Sequence, residues 1–242
     1  MTNFWDLYAM VYDSLPRHFL PYQELIEEIA NEISTCSTNK KILDAGCGTG
    51  NFSMALAKMG KDVTGIDYSD SMLKRAEKKK KQANDCRIQF KKLDLGNGLP
   101  YPDNSFDAII SVHTLYTIKE TNLVLKEYYR TLGPNGYFIL SELQRPIAIL
   151  PTLREEKHRN GLFAAVRLFY HLFILGAFNL IIAERQSVGY YHYWSENELR
   201  NMLLEAGFQI INVKETYTNN IDLLIVTTKI PKDNESDITS KS

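Results

Sequence analysis

The chain is poor in cysteine, has no excess of either charge, and carries no uninterrupted apolar run of membrane-spanning length. Its three cysteines (Cys36, Cys47, Cys86) form no CxxC pair. An odd count argues against a disulfide framework, so a reducing cytoplasm is expected and no metal site is legible. A formal net charge of −1, from 28 basic and 29 acidic residues, offers no field for nucleic acid, which excludes phosphate-backbone binding as the main task. The start, Met1-Thr2-Asn3-Phe4-Trp5-Asp6, lacks the basic region and apolar stretch of a signal peptide. No internal repeat is visible. Residues 231–242 are polar without apolar periodicity, and are expected to form a disordered tail after one domain over 1–230.

What is present alternates short apolar runs with helical patterns, the signature of a parallel sheet built from βα units. Pro21 opens a helix to about Ser34. Strands are expected at Lys41–Ala45, Val63–Asp67, Ile88–Leu93, Phe106–Ser111 and Tyr137–Leu140. Helices are expected over Asn51–Met59, after a Ser69 cap, and near Glu120–Thr131. Ser141–Trp194 reads as a long irregular insertion. Ser195-x-x-Glu198 is a capping-box signal for a helix that stops at Gly207. Two last strands, Gln209–Val213 and Ile221–Thr228, are joined closely enough to pair antiparallel.

The first strand ends in Asp44 and runs directly into Gly46-x-Gly48-x-Gly50 and a helix. Loops at the carboxyl ends of central strands are where open α/β sheets bind ligands. Glycine lets the backbone approach a ligand closely, and the helix start offers free N–H groups to an anion. A dinucleotide fingerprint, GxGxxG, would need glycine where Asn51 stands, which speaks against a nicotinamide-dependent oxidoreductase. Two further carboxylates follow in order. Asp67 ends the second strand about twenty residues past the loop, where an acid can accept from both ribose hydroxyls. Asp94 ends the third, placed to accept from an adenine amino group. Each alone reads as a turn or cap residue; the ordered set points to an adenosyl ligand.

Together with Gly65–Met72, Leu99–Asp107, Leu132-Gly133-Pro134-Asn135-Gly136 and Glu205-Ala206-Gly207-Phe208, these pieces resemble class I S-adenosylmethionine-dependent methyltransferases, in particular the quinone-biosynthesis-like small-molecule group. The resemblance spans roughly Phe4 to Thr228. It implies a Rossmann-like α/β fold, a seven-stranded mixed sheet of order 3-2-1-4-5-7-6, with an α-helical lid at 141–194 after strand five. By the same resemblance S-adenosylmethionine is the cofactor. Gly46, Cys47 and Gly48 would line its methionine part beside Asp44, and Asp67 would hold the ribose. Tyr68 and Met72 would pack on the adenine, Asp94 and Leu95 would meet its edge, Ser111 would sit beside it, and Tyr12 would reach its carboxylate. The family's His pair after strand four aligns with Tyr116-Thr117, so that catalysis does not transfer.

Methyl transfer from a sulfonium requires alignment and exclusion of water, and a base only where the nucleophile must lose a proton. His113, just after strand four, and His192 are the two base candidates. Tyr116, Arg145, Arg167, His171, Tyr191 and Trp194 are the candidate residues for an apolar or aromatic acceptor. The apolar run Gly161–Ala183 is interrupted by Arg167, His171 and Asn179, which argues against a transmembrane span. A lid helix over a lipophilic pocket is the preferred reading. A membrane-docking helix of a lipid or quinone methyltransferase and a homodimer interface are the others. The Lys78–Lys81 run is expected to be the solvated end of a helix. Outside enzymes, the rival is a non-catalytic S-adenosylmethionine-binding module.

Overall fold

The computed structural model describes residues 19–35, 41–145, 148–169, 172–173, 192–216 and 220–230. Tyr12, His171, Tyr191, the turn residue Asn219 and the expected tail 231–242 lie outside them. Its elements are α1 (Leu20–Thr35), β1 (Lys41–Ala45), α2 (Asn51–Lys58), β2 (Asp62–Asp67), α3 (Asp70–Ala83), β3 (Ile88–Lys92), β4 (Phe106–Val112), α4 (Thr121–Thr131), β5 (Leu132–Leu143) and α5 (Ile149–Asn160). Residues 162–169 are helical as α6, followed by α7 (Glu196–Glu205), β6 (Gln209–Thr216) and β7 (Asp222–Thr228).

The strands form one seven-stranded sheet in the order β3-β2-β1-β4-β5-β7-β6. The first five are parallel, and β7 is antiparallel to both β5 and β6. The expected order and the closing antiparallel pair are both observed. Central strands read as unbroken apolar runs because both faces are covered. Alternation then sorts their residues. Ile42, Val63, Ile110 and Ile139 pack with α1 and α2 through Tyr22, Ile29, Phe52 and Leu56. Leu43, Ile66, Ile109 and Phe138 pack on the other face with α4 and α7 through Leu125, Tyr128, Leu199 and Leu203.

Local signals place the helix starts. Ser69 caps α3 by accepting from the Met72 amide, and Ser195 with Glu198 forms a reciprocal capping box on α7. The expected irregular stretch from Ser141 to Trp194 is structured in part. β5 continues to Leu143, and α5 follows with Pro151 in its first turn, where proline is tolerated. Among the described residues no helix is long and apolar enough to cross a membrane.

Candidate functional site

In the order 3-2-1-4 the chain reverses direction of travel between β1 and β4, leaving a crevice beyond their carboxyl ends. The glycine loop occupies it. Gly46, Gly48 and Gly50 all have left-handed φ, at 78°, 52° and 79°, which glycine alone adopts without strain. The Gly46 and Cys47 amides both donate to the Ile66 carbonyl at 2.9 Å, tying the loop to the end of β2. A Cβ on Gly46 would lie 2.3 Å from Thr114 Oγ1, so the turn after β4 rests directly on the loop. Gly50 starts α2 with no side-chain cap of its own; the Ser53 amide of that turn bonds Asp44, leaving the earlier amides to an external acceptor.

Asp44 lies under that helix start, 2% exposed, and accepts from Ser53 Oγ at 2.5 Å. Burial pushes its carboxyl up to about 7 against the lowering effect of the Ser53 hydrogen bonds. Burial likewise raises the Cys47 thiol, with Asp44 and Asp67 adding to it, so Cys47 is no thiolate nucleophile. Asp67 is half-buried. Its two oxygens accept from the Gly48 amide at 2.9 Å and the Ser69 amide at 2.8 Å, while burial raises its pKa. Those bonds fix the carboxylate at the rim of the loop with lone pairs to spare for hydroxyl donors. Beside it Tyr68 is 41% exposed and Met72 is buried. Asp94 is exposed and caps the short turn Leu95–Asn97 through the Gly96 amide at 3.0 Å. Leu95 is buried behind it. Ser111 is fully buried in β4 and faces the Tyr128 hydroxyl of α4.

Lys79 departs from the expected solvated lysine run. It is half-buried, and its Nζ donates to Thr49 Oγ1 at 2.9 Å and Asn51 Oδ1 at 2.6 Å, clamping the glycine loop from α3. Its signal was only positional: one lysine of four turned toward the sheet by helical periodicity.

The other candidates separate into three groups. His113 follows β4 at φ 50°, with its Nε2 3.4 Å from Asp222 Oδ1. Tyr116 is buried and stacks on Tyr193, their centroids 6.0 Å apart, and its carbonyl accepts from the His192 amide. The His192 ring packs on Trp194 at 4.1 Å and lies 3.5 Å from Glu198 of α7, about half exposed. Arg145 and Arg167 are exposed. Two residues absent from the sequence reading stand next to His113. Glu142 of β5 and Asp222 of β7 are both fully buried carboxylates. Their one sequence signal is an acid inside an otherwise apolar strand run.

These features are those of a known architecture. A model of the methyltransferase domain matches residues 37–207. The chain belongs to that family. It is an S-adenosylmethionine-dependent methyltransferase, with S-adenosylmethionine as cofactor. It is 31% identical to the ubiquinone/menaquinone biosynthesis C-methyltransferase of Rickettsia bellii over 231 residues, covering 88% of this chain and 84% of that one. It is 33% identical to the demethylmenaquinone methyltransferase of a Geobacillus species, covering 74% of each. In fold it is similar to the magnesium protoporphyrin IX methyltransferase of Synechocystis, solved with bound S-adenosylhomocysteine. That match has a TM-score of 0.61 at 18% identity, over 87% of this chain and 84% of that one. The glycine loop, the uncapped α2 and the Asp67 rim fit such an adenosyl sulfonium ligand in donor and acceptor character.

Proposed function

We propose that this methyltransferase moves the methyl group of S-adenosylmethionine onto a ring carbon of a quinone-class acceptor in its hydroquinone form. The observation that carries the acceptor class is the naming of the relatives at 31% and 33% identity as quinone-pathway methyltransferases. Chemistry selects the reduced form. A sulfonium methyl is electrophilic, and a hydroquinone ring is electron-rich where a quinone ring is not.

In this reading the first-turn amides of α2 meet the methionine carboxylate. Asp67 accepts from the ribose hydroxyls, Tyr68 and Met72 flank the adenine, and Asp94 accepts from its amino group. Asp44 and Lys79 act from beneath, holding the loop in shape. The cofactor supplies the activated methyl group, and the protein aligns the acceptor and keeps water out. His113 takes the proton that a ring hydroxyl must lose. The Tyr116–Tyr193 stack and Trp194 offer an aromatic wall for a planar ring. The segment 141–194 acts as lid.

One observation favours contact with a membrane face during this work, as a lipophilic acceptor would require. Leu168 of α6 and Leu172 beyond it are buried, whereas Leu162, Phe163, Val166 and Phe169 of α6, and Phe173, are exposed, Phe163 at 93%. Arg167 on the same segment suits a headgroup layer. We place the protein in the reducing cytoplasm, where Cys47 and Cys86 stay as free thiols.

The test is turnover with S-adenosylmethionine and chemically reduced demethylmenaquinone, the product identified by mass and by the position of the new ring methyl. Phenol, amine and thiol pools run in parallel. A ring-methylated product supports the proposal. Methylation confined to the amine or thiol pool contradicts it.

A further inference from the structure

Glu142 of β5, Asp222 of β7 and His113, just after β4, meet at one end of the sheet. Asp222 opens β7 and pairs with Leu143 at the end of β5. One of its oxygens, Oδ2, accepts from Ser141 Oγ at 2.6 Å and Thr216 Oγ1 at 3.1 Å. The other, Oδ1, points at His113 Nε2, 3.4 Å away. Glu142 Oε1 accepts from the Thr114 and Leu115 amides at 2.8 and 2.6 Å, fixing the turn that packs on Gly46. Its second oxygen is buried and has no hydrogen-bond partner among the described residues.

Stability alone does not account for this arrangement. A sealed carboxylate with one unsatisfied oxygen is costly, and such groups are retained where they do something. The backbone carries strain at the same place. Among the described residues five non-glycines have left-handed φ, and four of them are asparagines; the fifth is His113. Exposure is also graded. Both carboxylates are fully buried, while the His113 side chain keeps 13% of its surface open. The histidine is therefore the least enclosed member of the set.

We propose that His113 is the proton acceptor of the methyl transfer and that Asp222 and Glu142 are its positioning residues, the three working as one buried unit. The inference rests on the reading that the acceptor must lose a proton. As the sulfonium C–S bond breaks, the new bond forms to the acceptor atom and the sulfur leaves as a neutral thioether. The acceptor's hydroxyl proton passes to the His113 imidazole and from there to water after product release. For a hydroquinone, the displaced ring proton then returns to oxygen as the ring regains aromaticity. One proton leaves for each methyl group delivered, and the charge of the sulfonium is accounted for.

The electrostatics agree with this geometry. Burial works to lower the His113 pKa, but Asp222 and Glu142 outweigh it and hold it above its ordinary value. Burial pushes Glu142 up to about 7. Among the described residues Tyr128 of α4 also faces them; burial raises its hydroxyl, which feels Glu142. Charge from its neighbours thus holds the His113 imidazole above its ordinary value, in the direction that strengthens it as a base.

Two readouts test the unit together on the full chain: pH profiles of kcat/KM, and histidine-ring nitrogen NMR titration. The His113 signal among the five histidines is assigned with His113→Gln. The acceptor probes are reduced demethylmenaquinone, 2-naphthol and an alkyl thiol. His113→Gln should lower kcat about 10²–10⁴-fold while the S-adenosylmethionine Kd changes less than about threefold. Asp222→Asn should lower the His113 titration midpoint and move the acid limb of the rate profile down with it. Glu142→Gln should move both in the same direction. The proposal is overturned if His113→Gln retains the rate, or if the His113 midpoint moves while the rate profile stays. A variant that loses cofactor binding and thermal stability with an unmoved profile marks a structural cluster only, which also overturns it. If 2-naphthol or the thiol turns over and the hydroquinone does not, the quinone reading fails, and the pH profiles on the active probe still decide the unit.

Discussion

Gly46 shows how tightly single positions are determined. At φ 78° a side chain is strained, and a Cβ there would collide with Thr114 Oγ1 at 2.3 Å. Gly60 has a similar φ of 83° but nothing within 4 Å. Gly46→Ala should therefore destabilise by about 2–4 kcal/mol, adding overpacking to strain, and Gly60→Ala by only about 1 kcal/mol. Urea unfolding of the two variants checks this; equal losses would mean that the loop yields without cost. Asp67 belongs to the same scale. Asp67→Ala removes the acceptor that receives the Gly48 and Ser69 amides. It should weaken S-adenosylmethionine binding at least about tenfold, or about 1.4 kcal/mol, with far less effect on thermal unfolding.

Among the elements, α3 matters to the site through one lysine. Lys79→Met should weaken cofactor binding about three- to tenfold, whereas Lys78→Met, at an exposed neighbour, should leave it unchanged. Calorimetry on both variants separates a clamp from a general charge effect; parallel losses would speak for the latter. The α6 segment carries a second prediction. Phe163→Asp with Phe173→Asp should abolish co-sedimentation with anionic liposomes without lowering the melting temperature, because both rings are exposed. Undiminished sedimentation would remove the membrane contact. The elements that sequence reading reached were those with a strong local rule: the Ser69 cap, the Ser195–Glu198 box, and the close-coupled final strands. α5 escaped because only Thr152 and Glu156 of it are buried, so no apolar stripe marks it. β5 proved longer because Gly133–Gly136 stays in the sheet, Asn135 taking φ 57° and its amide bonding Lys229. The Glu142–His113–Asp222 set was half legible. His113 shows in sequence as a polar residue at a strand end, but its partners lie 29 and 109 positions downstream, and only the strand order brings them together.

Over the whole molecule, buried acids shape the pH dependence of stability. Burial raises Asp44 and Glu142 to about 7 and lifts Asp67. From their ordinary range up to about 7 the folded state keeps protons that the unfolded chain has released, so stability falls as pH rises through that window. His113, raised above 6.5, adds loss in the same direction. Glu127 works oppositely. The Arg130 hydrogen bond holds it down at about 2, so its contribution is present above 4.5 and fades as pH falls toward 2. Stability should peak near about pH 4, and Asp44→Asn should flatten the decline above it. Urea unfolding across pH reads both; a peak above about pH 8 would contradict the assignment. The net charge of −1 leaves this to local burial and not to global repulsion.

The cofactor-binding predictions rest on the crevice between β1 and β4 being an adenosyl site. Titration calorimetry of the full chain with S-adenosylmethionine, S-adenosylhomocysteine and NAD tests that most directly. One equivalent of each adenosyl ligand should bind with a Kd of roughly 1–100 μM, weakened in Asp67→Ala, and NAD should give no binding heat. Tight NAD binding, or adenosyl binding indifferent to Asp67→Ala, would contradict it.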